Sequence, residues 1–120
     1  MTKNGRKTHD LLVEWLRNDH PVNYAARVTV TVNRNYSTDY GEGLRDVVTD
    51  ALYLPEGYLR LCQSLASDKP QSYPNGYPCE PGAMEWTRDQ ITRDEWDALD
   101  WSALARDTFP GVFDGTDNED

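Results

Sequence analysis

Histidine, cysteine and long apolar runs are scarce in this 120-residue chain: it has 2 His and 2 Cys. His9 and His20 have no cysteine near them at ligand spacing, so no zinc centre is expected. Asp94 and Asp97 are paired carboxylates, but nothing around them supplies the neutral oxygens of a calcium loop. Asp114-Gly115-Thr116-Asp117-Asn118 has no twelfth-position Glu to close one. Glycine-rich phosphate loops, nucleophile elbows and His-Glu-x-x-His stretches are all missing, and Gly41-Glu42-Gly43 lacks the rest of a nucleotide fingerprint. No cofactor and no enzymatic activity are therefore expected. Cys62 and Cys79 are too few for a disulfide framework and are read as free thiols, Cys62 being a small buried hydrophobe among Leu59, Leu61 and Leu65, with a single bridge between them geometrically open but unsupported. No segment approaches a bilayer span, and the opening MTKNGRKTHD has no apolar stretch of the secretory kind, which predicts a soluble, cytoplasmic protein.

Basic residues are also few. There are 12 Lys plus Arg against 21 Asp plus Glu, a net charge of -9, which opposes general attraction to nucleic acid or to an anionic membrane. The imbalance is local: residues 1–38 sum to +3 and residues 39–79 to -3, so residues 80–120 hold the whole excess. A hydrophobic content of 38% with 4 Trp and 7 Tyr is enough for one core, and the length is too short for two. The domain reading is a single unit over residues 1–110, with a flexible basic start at 1–7 and an acidic tail at 111–120.

Thr8 is placed to cap a helix with Leu11, Leu12, Trp15 and Leu16 on one stripe, and Pro21 is expected to end it and return the chain to extended backbone. From Ala25 to Asn33 the residues alternate, with Val28, Val30 and Val32 opposite Arg27, Thr29 and Thr31, the pattern of a β-strand. Leu44, Val47, Val48, Ala51 and Leu52 follow helical spacing, and Tyr58 to Ala66 is read as a further helix rather than a hairpin around Pro55. Residues 69–82, with Pro70, Pro74, Pro78 and Pro81, are expected to be a long loop. Thr87 with Gln90 and Thr92 with Glu95 have capping-box spacing, and Asp100 is an alternative cap that would turn Trp101 inward. The predicted fold class is α+β, three to four helices packed on a small antiparallel sheet.

Two resemblances bear on function. Arg27 to Asn33 followed by two helical segments resembles the ribbon-helix-helix family; the likeness implies a dimer whose paired strands present Arg27, Thr29, Thr31 and Asn33 to base edges. In size and charge the chain is similar to the small acidic inhibitors encoded by phages and plasmids, including anti-CRISPR and anti-restriction proteins. That likeness implies an acidic interaction module that occupies the cationic groove of a nucleic-acid-binding machine. The expected partner is thus a basic protein surface, not nucleic acid or membrane, with a homodimer and a phage assembly component as further readings. The residues expected to make the contact are Asp89, Asp94, Glu95, Asp97 and Asp100, with Trp101 and Tyr77 as aromatic anchors.

Overall fold

In the computed structural model, which describes residues 5, 7–68, 71 and 79–114, the described residues form a bundle of eight helices. They are α1 (Thr8–Asn18), α2 (His20–Asn35), α3 (Tyr40–Tyr53), α4 (Gly57–Asp68), α5 (Pro81–Gln90), α6 (Arg93–Asp97), α7 (Trp101–Thr108) and α8 (Pro110–Asp114). No strand occurs among the described residues, so the α+β expectation is overturned. The segment read as a strand lies in the middle of α2.

The reason is visible in burial. Val22, Ala26 and Val30, four apart, have no exposed surface, whereas Val28 and Val32 are 44% and 47% exposed. A strand would put Val28, Val30 and Val32 on one face; a helix at 100° per residue sets Val30 opposite the other two. Pro21 does end α1, but it also sits in the first turn of α2, one residue after His20, where a proline gives up only a backbone donor that has no partner within the helix. Asp19 supplies the cap, its Oδ1 accepting from the Val22 N–H at 3.4 Å. Without a strand there is no ribbon, and the ribbon-helix-helix likeness does not survive.

Other helix boundaries follow the sequence more closely. Asp39, Thr92 and Asp100 cap α3, α6 and α7, accepting from the backbone N–H of Glu42, Glu95 and Ala103 at 3.0, 3.3 and 3.1 Å. Two expected caps do not form. Lys7 occupies the cap position of α1, and Thr87 lies inside α5 with its hydroxyl on the Ala83 carbonyl. Between α3 and α4 the chain reverses through Pro55 and Glu56, and Gly57 presses against α3: a Cβ there would sit 1.7 Å from the Asp50 carbonyl oxygen.

The core is one cluster drawn from α1, α2, α3, α4 and α7, with Leu12, Leu16, Leu44, Val48, Leu52, Cys62 and Leu104 among its buried members. Val112 of α8 joins it, so the chain stays packed beyond Pro110. Under the core runs a buried polar tie. The Tyr58 hydroxyl donates to Asp19 Oδ2 at 2.7 Å and accepts from the Glu80 N–H at 2.8 Å, linking α4 to the starts of α2 and α5. Cys62 and Cys79 form a disulfide next to this tie, with Cα atoms 5.8 Å apart, in place of the two free thiols expected. No helix among the described residues is long and apolar enough to cross a membrane.

Candidate binding groove

α3 and α7 begin side by side. Gly41, in the first turn of α3, permits this: a Cβ would meet the Ser102 Oγ at 2.7 Å and the Ser102 backbone nitrogen at 3.0 Å. From that crossing the helices diverge, and a groove of about 680 Å³ opens between α3 and the α6–α7 corner. Asp39, Glu42, Asp46 and Asp100 line it with the single cation Arg45, and Trp96, Leu99 and Trp101 form its apolar side.

The aromatic side is a continuous ladder. Tyr53 meets Trp96 edge to face with ring centroids 4.9 Å apart, and Trp96 meets Trp101 in the same way at 4.9 Å. Both tryptophans are half-buried, so their positions are set by packing while part of each indole still faces the groove. Burial holds the Tyr53 phenol above its ordinary range, with Arg88 pulling it the other way, and the hydroxyl stays a donor at neutral pH.

The charge on this face comes mainly from α3. Glu42, Asp46 and Asp50 recur every four residues, and Asp39 precedes them by three, so all four follow one ridge of the helix at about 6 Å intervals. Glu42, Asp46 and Asp50 are exposed, and among the described residues none has an ion-pair partner. A net charge taken over residues 39–79 hides this row. The signal was present, as acids at 39, 42, 46 and 50 fall opposite the Leu44, Val48 and Leu52 stripe.

The seven residues named from sequence separate in space. Asp100 and Trp101 enter the groove. Asp97 lies on the far side of Trp96, in an adjoining opening with Tyr53 and Ile91, where the Arg93 Nε is 4.0 Å from its carboxylate. Asp94 is exposed in the first turn of α6. Glu95 turns toward α1 and accepts a hydrogen bond from the Thr8 hydroxyl. Asp89, on α5, is 3.6 Å from the guanidinium of its neighbour Arg88. Tyr77 lies outside the described residues.

Chemically the groove is a cation receptor in outline: carboxylates on the rim attract positive charge, and indole faces favour a guanidinium or ammonium group. Among the described residues no group of three His, Cys, Asp or Glu side chains converges as a metal site. His9 Nε2 is 2.7 Å from Asp107 Oδ2, while Arg17 donates to the Asp107 carbonyl, a surface tie between α1 and α7 away from the groove. Fold and groove together define a helical bundle, without strands among the described residues, that carries an acidic, tryptophan-walled face. No family model, curated protein or solved structure matches the chain.

Proposed function

We propose that this protein is a non-enzymatic binding module that presents its acidic face to a basic surface of a nucleic-acid-binding partner and competes there with the nucleic acid. The observation that carries the reading is the unpaired carboxylate row of α3 beside the Trp96–Trp101 wall. Carboxylates about 6 Å apart along a helix are within a factor of two of the roughly 3.4 Å of axis per charge on one DNA strand. A rigid row of this kind competes for the same lysines and arginines. The indoles add the desolvated anchor that charge alone does not supply, because exposed charges chiefly accelerate encounter.

The site differs from the one expected from sequence in where its charge originates. Asp100 and Trp101 remain, while Asp39, Glu42, Asp46 and Asp50 take the place of Asp89 and Glu95. Competition is the test. Immobilised protein is exposed to a cell lysate, the retained proteins are identified, and duplex DNA and rising salt are used for elution. Retention of nucleic-acid-binding proteins that DNA displaces, with affinity falling at least tenfold between about 50 and 200 mM salt, supports the reading. Retained proteins without nucleic-acid affinity, or binding indifferent to salt, overturn it.

A further inference from the structure

α2 and α3 form an antiparallel pair joined by a short turn at residues 36–39, and their shared outer face has two unlike ridges. Val28 and Val32 on α2 and Tyr36, the residue that caps its C-terminal end, are four apart and 44%, 47% and 78% exposed. Val32 and Tyr36 stand one helical turn from Thr29 and Asn33, which line a groove of about 480 Å³ against α3. Across that groove stand Asp39, Glu42, Asp46 and Asp50, the carboxylate row already described. An apolar ridge and an acidic ridge thus run side by side, each spanning about 12 Å over eight residues.

From this arrangement the geometry points to a specific occupant: a cationic amphipathic helix of the partner, lying along the α2–α3 groove. Its apolar stripe would cover Val28, Val32 and Tyr36, and its lysines or arginines, three or four residues apart, would match the four-residue repeat of Glu42, Asp46 and Asp50. An extended basic segment comes close to the charge spacing, at about 6.6 Å between alternate residues, but it turns its remaining side chains to the opposite face, so it cannot lay cations and apolar groups on adjoining ridges as a helix does.

A second copy of this chain is the poorer fit. α2 has no acidic residue and two arginines, but Arg34 donates to the Phe113 carbonyl and lies over the Phe113 ring, 5.1 Å from its centroid. Arg27 is engaged as well. Both point away from the groove, about 140° (Arg27) and 160° (Arg34) around the helix from Val32. Self-pairing across this face would therefore bring carboxylates together without the cations to neutralise them.

The inference rests on the proposed acidic-face function but is narrower, and the test separates the two. The probe is a synthetic peptide of about four helical turns, Leu and Lys placed at helical spacing, alongside a peptide of the same composition in scrambled order. Backbone amide chemical shifts of the full chain are followed during titration with each. The expected result is binding of the helical peptide at least tenfold tighter than the scrambled one, with shifts concentrated on residues 28–50. Asp46→Lys with Asp50→Lys, and separately Val28→Gln with Val32→Gln, should each weaken it by tenfold or more, while circular dichroism shows the fold kept. Equal affinity for both peptides, or indifference to the valine changes, overturns the helical occupant and leaves the acidic face standing. Failure of both peptides to bind at low salt overturns both. Shifts on the same residues that depend on protein concentration without peptide would assign the face to a second copy and overturn the inference.

Discussion

Asp19 is the residue in which folding and titration meet. It caps α2, accepts from the Tyr58 hydroxyl and is buried, so the charged form loses water; desolvation raises its pKa despite hydrogen bonds from Tyr58 and the Val22 backbone that pull it down. Tyr58 is likewise raised, first by burial. The sign for stability follows from proton counting. In the pH range above 3.8, the ordinary value of the carboxyl, folded Asp19 holds more proton than the unfolded chain, so its contribution declines as pH rises through its folded pKa. Asp19→Asn keeps a good cap and an acceptor for Tyr58 without the charge. Urea denaturation of both proteins from about pH 3.5 to 7 should show the wild type losing stability relative to the variant as pH rises. Carboxylates that do not interact with Asp19 cancel in that difference. A difference curve that is flat or of opposite slope would mean that Asp19 is not held above its ordinary range. Gly57 offers a second residue-scale test. Gly57→Ala sets a methyl against the Asp50 carbonyl and should cost about 3 kcal/mol in the same assay, as overpacking against backbone leaves nothing flexible to move.

Among the elements, α2 separates what was legible from what was not. Helices α1, α3 and α4 were readable because Leu11, Leu12, Trp15 and Leu16, then Leu44, Val48 and Leu52, then Tyr58, Cys62 and Leu65 repeat at three and four residues and are all buried. Asp100 was readable as a cap for the same local reason: an aspartate before an apolar repeat satisfies an orphan donor. α2 was misread because Val-Thr-Val-Thr-Val satisfies two periods at once. Its β-branched residues favour a strand, but burial of Val22, Ala26 and Val30 against α3 and α4 outweighs a propensity difference of a few tenths of a kcal/mol per residue. The carboxylate row escaped notice for a different reason, since it depends on which face of α3 is outward, and that requires knowing the helix's neighbours. The assignment of α2 can be checked by three single substitutions. Val30→Ala should cost about 2 kcal/mol by opening space in the core, whereas Val28→Ala and Val32→Ala should change stability by about 0.5 kcal/mol or less, in the stabilising direction. Equal costs at all three would instead fit a strand face.

For the whole molecule, the least anticipated feature is the covalent one. Cys62 and Cys79 are 17 residues apart, and their bridge closes a covalent ring that includes three of the seven prolines, Pro70, Pro74 and Pro78. α5 has a single buried residue, Thr87, so apolar burial holds it only lightly. Its attachment depends on three links near its start: the bridge, the Tyr58 hydroxyl on the Glu80 N–H, and the partial burial of Met84 against the core. Closing a loop of this size removes enough unfolded-state freedom to stabilise the fold by about 3 kcal/mol. Cys62→Ala with Cys79→Ala, and separately reduction of the wild type, should lower the thermal midpoint by about 10 °C for a chain of this length. The reduced wild type is the cleaner arm, because Cys62 is buried and its truncation also leaves a small cavity. The α2–α3 face and the Trp96–Trp101 wall lie on other helices, so binding of the helical Leu-Lys peptide at 25 °C should change by less than twofold on reduction. Loss of peptide binding while the reduced protein remains folded would show that the bridge governs the binding face as well as stability; a midpoint that does not move would show that α5 is held without it.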